Sequence, residues 1–543
     1  MTKNRDLTFS VWMVILLTLS VAIPALSHNL FRPITTNADP DILHIFQSLL
    51  MNDGRPQNMF DHTGYILFVM LTYWFKILHF LNIVPIIKLS DLLDQGAITP
   101  YYEMLIYGGR VFSILLSVGC AVTFYFIVKI LINNRYLALF AATLFAWLPG
   151  LTTQAYRMRT ELPSVFFVLL ALLFVLMAFH SGRWREYWYL ALASFFAVLA
   201  TMSKLQIIPM VLALPALIII LRGGFEIARE PAEQVYKWPQ IILGALAVGT
   251  ILVPVLVMIF TQIYPALPER SNVGNAGYQW VIVCYLLITI FLFAKIDRRT
   301  NQELALAFCA IGLGFATGFY TNLINHQVQN IANLVNFVEH MTVYASATSG
   351  VMLANVESGI LFSEIVAKLL AVVSRTFTNH FLTFNLMQAT VMPFFWIAAI
   401  GALMSAHFKQ WRLFLTVIAL LLIGLGMQIF SGLRYFAEHY RLFTEPMALL
   451  AVVLLVNEAI RDQNIKELLL RNIGFKIASA TAVLVLAYVV IGSVSYAFAD
   501  KNWNEPSNGC YQLEGYAPKK LIVHFCNEAF LKSMERSSEK GAD

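Results

Sequence analysis

The sequence has 543 residues, of which 59% are hydrophobic and only 13% are charged. This composition excludes an ordinary soluble globular protein, since such proteins carry about 25% charged residues. The net charge of +6 does not indicate a nucleic-acid partner, because the basic residues lie in short clusters between apolar runs, as loop anchors do.

The first apolar run extends from about Leu7 to Leu26 and follows the basic residues Lys3 and Arg5. Its end, Ala25-Leu26-Ser27, is compatible with signal-peptidase cleavage, but the run is long for the hydrophobic region of a signal peptide. We therefore expect a retained first span whose N-terminus lies in the cytoplasm.

A long outer loop, from about residue 27 to 103, follows this span. It contains two amphipathic stretches, Ile42 to Met51 and Tyr65 to Leu81, which are predicted to be helices lying in the membrane interface. Just before them stand the carboxylates Asp39 and Asp41. Either these groups activate a hydroxyl nucleophile or hold a divalent ion, or the loop is simply solvated and Asp39 caps a helix.

Apolar runs long enough to cross about 30 Å of hydrocarbon recur along the rest of the chain. With the first span they make about thirteen, and the basic clusters fall on alternate loops, which places the C-terminus outside. The further spans are predicted near 104–131, 136–152, 162–180, 186–203, 205–221, 240–263, 278–296, 304–324, 388–406, 411–431, 442–458 and 476–498.

The sequence therefore predicts an all-α polytopic membrane protein with one transmembrane domain over residues 1–498. A second long outer loop is expected from about 325 to 387, and a short extracytoplasmic tail over 499–543. Gly314 and Gly318 form a GxxxG pattern inside a span, which is typical of close helix packing.

Five basic residues stand at outer membrane boundaries, against the positive-inside pattern. Lys204 is the sharpest case, because it interrupts two apolar runs as a single cation. Such residues either anchor lipid headgroups and snorkel to the interface, or bind an anionic substrate. Polar groups at membrane depth are costly and often mark a substrate path, which favours a cationic pocket for a lipid phosphate. The five residues are Arg157, Arg159, Lys204, Arg434 and Arg441.

The opening of the outer loop resembles that of the C-type, lipid-phosphate-dependent glycosyltransferases (GT-C). The resemblance consists of the acid Asp39 after the first span, an amphipathic helix, and Gly54 fifteen positions after the acid. Protein O-mannosyltransferases and lipid A aminoarabinose transferases share this pattern, with a second acid directly after the first. Here Pro40 takes that place and Asp41 follows.

The resemblance continues at four further points. His62, in the segment Asp61–Tyr65, is similar in position to a histidine before an interfacial helix of the family. Arg110 opens the second span, Glu161 precedes Pro163 where the family carries an acid and a proline, and Arg434 to Arg441 precede a proline-containing helix.

The resemblance implies an inverting transfer of a sugar from a polyprenyl-phosphate donor to a hydroxyl on the extracytoplasmic face. It implies Asp39 as general base, with Asp41 beside it. The implied phosphate-binding residues are Lys204, Arg441, Arg157, Arg159 and Arg434, and the further candidates are His62, Glu161 and Arg110.

We expect no cofactor or metal, with a divalent cation as the alternative, and a multi-pass location in a bacterial inner membrane. The acceptor remains open among glycans, lipids and proteins. Two other functions would also need many helices and a basic intramembrane pocket. One is a flippase or transporter of a lipid-linked or anionic solute, and the other is a polymerase or ligase of lipid-linked glycans.

Overall fold

The computed structural model describes most of the first 224 residues and parts of the remainder. The described residues are 2–28, 30, 41–55, 64–95, 98–181, 183–224, 281, 283–289, 291–293, 301–328, 362–382, 392–407, 409–434, 440–461, 483–484, 487–488, 490–492 and 494–495.

Every regular element with assigned bounds in the described residues is a helix. In chain order the α-helices are α1 Thr2–His28, α2 Asp41–Asn52, α3 Tyr65–Phe80, α4 Leu89–Leu93, α5 Thr99–Ile132, α6 Arg135–Trp147, α7 Pro149–Ala155, α8 Glu161–Phe179, α9 Arg183–Ser203, α10 Ile208–Gly224, α11 Asn301–Val328, α12 Phe362–Phe377, α13 Met392–His407, α14 Trp411–Arg434 and α15 Arg441–Arg461. A 3₁₀ turn, Leu205–Ile207, joins α9 to α10, and a π-helical turn, Thr378–Leu382, follows α12.

Six helices in the described part of the chain are long and apolar enough to cross a membrane, and a bent pair of helices makes a seventh. The six segments are Thr8–Leu26, Thr99–Ile132, Glu161–Phe179, Gln302–Phe319, Trp411–Gly432 and Arg441–Arg461, and the bent pair is α6 with α7. The all-α polytopic class is thereby confirmed, whereas the count of about thirteen spans stays a prediction.

Three other predicted spans correspond to helices that fall short of these span criteria, namely α9, α10 and α13. The predicted span near 278–296 is described in part and contains the shorter apolar helix Val283–Phe293. The spans predicted near 240–263 and 476–498 lie wholly or largely outside the described residues. So do the C-terminal tail and most of the second outer loop, although α12 is a helix within the range predicted for that loop.

Two local features explain how the chain turns between α5 and α7. Asn133 ends α5 in the left-handed conformation, and the side chain of Asn134 accepts hydrogen bonds from the first amides of α6. Pro149 then begins α7 at a position where its missing N–H costs nothing. The axes of α6 and α7 differ by 62° at this break, so the predicted span near 136–152 is bent, as in a broken span or a re-entrant loop.

The predicted amphipathic helices are present, but α2 is enclosed by protein. Eleven of its twelve residues are buried, including the polar His44, Gln47 and Ser48. It packs against α3, α4 and α5. Polar side chains are rarely buried without a partner. The buried polar residues of α2 therefore indicate a polar site next to this helix.

The predicted GxxxG packing is confirmed. A Cβ atom at Gly314 would collide with the backbone carbonyl of Ala191, and one at Gly318 would lie 3.1 Å from the Cβ of Val198. Helix α11 therefore approaches α9 closely through Gly314 and Gly318. This contact fixes α9, whose C-terminal end leads directly to Lys204.

Candidate active site

Arg110 joins the two ends of the chain segment that contains Asp39. Its Nη1 donates a 2.7 Å hydrogen bond to the carbonyl of Leu30, and its Nε lies 2.9 Å from Oδ2 of Asp41. The Arg110 side chain is fully buried and that of Asp41 is 3% exposed. One guanidinium thus holds residues 30 and 41, which bound the segment 31–40.

The second oxygen of Asp41 is also engaged. Its Oδ1 accepts a 3.0 Å hydrogen bond from the backbone N–H of Met158. The Met158 side chain packs so closely on Gly109 of α5 that a Cβ at Gly109 would collide with its sulfur. Asp41 therefore connects α2 to α5 and to the turn before α8, which is a positioning role inside the predicted catalytic region.

Lys204 has an acidic partner. Its Nζ lies 2.9 Å from Oε1 of Glu161, and both side chains are only 4% exposed. Lys204 has an extended backbone between α9 and the 3₁₀ turn, so α9 ends directly before this cation. Glu161 lies in the first turn of α8, where a negative charge is favourable beside the exposed amides of a helix N-terminus.

The start of α15 meets the same region. The ammonium of Lys204 lies 5.9 Å from the centroid of the Tyr440 ring, one residue before α15 begins. One turn into α15, both carboxylate oxygens of Glu445 accept the backbone N–H of Gly150 at 3.0 Å. Arg441 interacts electrostatically with Glu445. Tyr440 and the start of α15 therefore lie close to the break at Lys204.

His44 lies among these charged groups. It is 3% exposed and interacts electrostatically with Asp41, Glu161 and Lys204. Burial lowers the pKa of His44 to about 4, although both carboxylates oppose the shift. The Met158 backbone also lies near the ring, yet neither ring nitrogen makes a hydrogen bond of acceptable geometry. The imidazole is consequently neutral at physiological pH.

Two further predicted arginines flank this cluster. Arg157 places its guanidinium carbon 5.5 Å from the centroid of the Tyr156 ring, and Arg159 is 8% exposed. Both stand in the turn that contributes the Met158 amide and leads into α8. The structure thus brings Arg157, Arg159 and Lys204 to one end of the α8 and α9 pair.

Three predicted site residues are not placed. Asp39 and His62 lie outside the described residues, and so does the side chain of Arg434, although α14 ends at that residue. Their predicted roles stay predictions. Among the described residues, no group of three or more His, Cys, Asp or Glu side chains could hold a metal ion. The expectation that no metal is needed is not tested by this.

Sequence reasoning missed His44, Gln206 and Glu445. All three side chains are buried: that of His44 in a predicted amphipathic helix, that of Gln206 in the turn after Lys204, and that of Glu445 in a predicted apolar span. The sequence did contain an indication of these residues, because each is a polar residue a few positions after a predicted site residue. His44 follows Asp41 by three residues, Gln206 follows Lys204 by two, and Glu445 follows Arg441 by four.

Comparison with known proteins gives a family match within the front half of the chain. Residues 94–266, about a third of the sequence, match the model of the dolichyl-phosphate-mannose-protein mannosyltransferase family. The matched stretch includes Arg110, Arg157, Arg159, Glu161 and Lys204. No curated protein matches the chain.

Among solved structures, similar chains include an archaeal oligosaccharyltransferase, AglB from Archaeoglobus fulgidus, in complex with an inhibitory peptide and a dolichol-phosphate. It is 13% identical with a TM-score of 0.46, over 96% of this chain and 59% of that one. An Archaeoglobus fulgidus oligosaccharyltransferase in complex with zinc and sulfate is 14% identical with a TM-score of 0.43, over 94% of this chain and 56% of that one.

The present chain thus spans less than two thirds of the length of both oligosaccharyltransferases. The family match supports the predicted resemblance over residues 94–266, which include the break at Lys204 and the turn before α8 but not Asp39 or Gly54. Together with the helical membrane fold, this match agrees with the predicted resemblance to the C-type glycosyltransferases.

Proposed function

We propose that the protein transfers a sugar from a polyprenyl-phosphate donor to an acceptor hydroxyl on the extracytoplasmic face of the membrane. The name of the matched family, a dolichyl-phosphate-mannose-protein mannosyltransferase, supports a lipid-phosphate donor. The predicted topology, with the N-terminus in the cytoplasm and the C-terminus outside, supports the extracytoplasmic side.

The observation that supports the proposal is that Asp41, which follows the segment containing Asp39, and the buried cation Lys204 both interact with His44. Arg110 holds Leu30 and Asp41 at the two ends of segment 31–40, and Asp39 stands two residues before Asp41 in the sequence. His44, on the helix that Asp41 begins, interacts electrostatically with Lys204. A carboxylate and an ammonium group are what a phosphate-leaving glycosyl transfer needs.

In the proposed reaction Asp39 accepts the proton of the acceptor hydroxyl while its oxygen attacks the anomeric carbon. The bond between that carbon and the phosphate oxygen breaks, and the polyprenyl phosphate leaves with the electron pair. Attack from the face opposite the phosphate inverts the anomeric configuration.

The developing charge on the phosphate would be stabilised by the ammonium of Lys204. The ammonium of Lys204 also lies 2.9 Å from Glu161, which compensates its charge. Arg441, Arg157, Arg159 and Arg434 are the other proposed phosphate contacts. We propose that these fixed cations serve a monophosphate donor without a metal ion.

The test is sugar transfer by purified protein supplied with a panel of polyprenyl-phosphate sugars and scored for transfer or hydrolysis. Asp39→Asn should abolish turnover and leave binding of polyprenyl phosphate largely intact. Asp94→Asn, an exposed acid of the same loop, is the matched control and should behave as the wild type.

Undiminished transfer by Asp39→Asn would overturn the mechanism. A flippase or transporter would instead move lipid-linked solute in proteoliposomes with equal efficiency in both variants and would transfer no sugar. A lipid-linked glycan polymerase or ligase would use donors that carry an oligosaccharide in preference to a single sugar.

A further inference from the structure

Two buried side chains beside Lys204 have no hydrogen-bond partner for either of their polar atoms. They are His44, with both ring nitrogens unpartnered, and Gln206, with its amide oxygen and nitrogen both unpartnered. His44 is 3% exposed and Gln206 is fully buried. An unsatisfied buried polar group costs about 1–3 kcal/mol, and such groups are uncommon in native proteins without a ligand, water or catalytic role.

Both side chains flank the proposed phosphate site. Gln206 lies in the 3₁₀ turn that begins directly after Lys204, and two residues of chain span at most about 7 Å. His44 interacts electrostatically with the same lysine. Its ring is packed against Phe68 of α3, with 5.6 Å between the ring centroids, which restrains the imidazole within the site.

We infer that His44 and Gln206 bind hydroxyl groups of the donor's sugar, and that this sugar is uncharged. The inference rests on the proposed function and deepens it by assigning the sugar subsite. A neutral imidazole and a carboxamide each offer one donor group and one acceptor, which matches hydroxyls that both donate and accept. Phosphate oxygens only accept, so this pair suits the sugar better than the phosphate.

The charges around His44 indicate an uncharged sugar. Its two carboxylate neighbours in the described structure, Asp41 and Glu161, are each already paired with a cation at 2.9 Å. An amino sugar would add a positive charge beside Asp41 and Glu161, whose charges are already neutralised by Arg110 and Lys204. A uronic acid would bring a second anion to cations that the phosphate already needs. A neutral hexose or pentose leaves both ion pairs undisturbed.

The experiment compares two ligands that differ only in the sugar. Binding of polyprenyl phosphate and of polyprenyl-phosphate mannose is measured in detergent, together with kcat/KM for the mannose donor. His44→Ala and Gln206→Ala should each weaken the sugar-bearing ligand about 5- to 10-fold, the loss expected for one hydrogen bond. They should leave affinity for bare polyprenyl phosphate unchanged, whereas Lys204→Met should weaken both ligands.

Conservative variants and a matched control separate recognition from folding. His44→Asn and Gln206→Asn keep hydrogen-bonding groups in place and should recover part of the affinity. Ser117→Ala removes another buried hydroxyl without a partner, about 10 Å along α5 from Arg110, and should change neither ligand. A donor panel then compares neutral, amino and uronic sugars on the same lipid phosphate.

Equal losses for both ligands in the His44 and Gln206 variants would overturn the sugar subsite, since the two residues would then act only through packing or bound water. A preference for an amino or uronic sugar would overturn the uncharged assignment. Failure of the wild type to bind polyprenyl phosphate or to transfer any sugar would overturn the proposed function itself, so the two failures are distinguishable.

Discussion

Arg110 and Asp41, 69 residues apart in the sequence, form a 2.9 Å ion pair that is almost completely buried. A buried pair contributes little net stability, but removal of one partner leaves an uncompensated charge and typically costs about 3–5 kcal/mol. The pair therefore works as a constraint on geometry, because it fixes where α2 begins relative to α5.

The first prediction concerns this constraint. Arg110→Met should lower the unfolding temperature strongly, because Asp41 and the Leu30 carbonyl both lose their donor. The double variant Asp41→Asn with Arg110→Met should unfold at a higher temperature than Arg110→Met alone, since the buried charge is gone. Thermal unfolding in detergent measures both. Arg412→Met, at an exposed arginine, is the control, and an equal loss there would contradict the assignment.

The second prediction concerns the Lys204 and Glu161 pair. Glu161→Gln should lower stability, since Lys204 would remain buried without its counter-charge, and should leave measurable binding of polyprenyl phosphate. Lys204→Met should weaken that binding strongly. In a double-mutant cycle on unfolding free energy the two changes should couple strongly, because the ammonium and carboxylate are 2.9 Å apart. Additive effects would show that the pair does not form.

The third prediction concerns Gly150, which packs against the start of α15. A Cβ at this position would lie 2.6 Å from the backbone nitrogen of Leu442, a distance that real Cβ atoms do not adopt. Gly150→Ala should therefore displace α15 and lower both the unfolding temperature and sugar transfer. Gly426→Ala, on α14 with open space around it, should do neither. Wild-type stability of Gly150→Ala would refute this contact.

The fourth prediction is a pH dependence of stability. Burial lowers the folded-state pKa of His44 to about 4 from an ordinary value of 6.5. Between these two pH values His44 is protonated in the unfolded chain and neutral in the folded protein. Stability should then fall as the pH decreases, by about 2 kcal/mol between pH 7 and pH 5. The charged groups that interact electrostatically with the ring are Asp41, Glu161 and Lys204.

Unfolding temperatures measured at pH 7 and pH 5 provide the check. His44→Asn has no proton to gain, so its unfolding temperature should change less between the two pH values than that of the wild type. An identical change in both proteins would show that His44 is not responsible.

Much of the fold could be predicted from the sequence because the relevant forces are local. Long apolar runs specify α1, α5, α8, α14 and α15 wherever they occur, since backbone groups in lipid must be satisfied within the helix. The placement of Lys204 at a break between helices is local too, because a lone lysine cannot continue an apolar span without cost.

The partners of the polar residues could not be predicted in this way. Glu161 was predicted only as a further candidate site residue, and in the structure its carboxylate pairs with Lys204. Glu445 was not singled out at all, and its carboxylate accepts the amide of Gly150, 295 residues away. His44 looked like one polar residue of an amphipathic helix.

The sequence by itself thus indicated that the protein lies in a membrane and that its fold is all-α. It also predicted the side of the membrane on which the buried basic residues lie. Only the tertiary structure decided which cation meets which carboxylate and which polar side chains remain buried without a partner. The reason is that the hydrophobicity of a span is a sum over neighbouring residues in the sequence. A hydrogen bond or ion pair depends instead on distances of a few ångströms between helices that are far apart in the sequence.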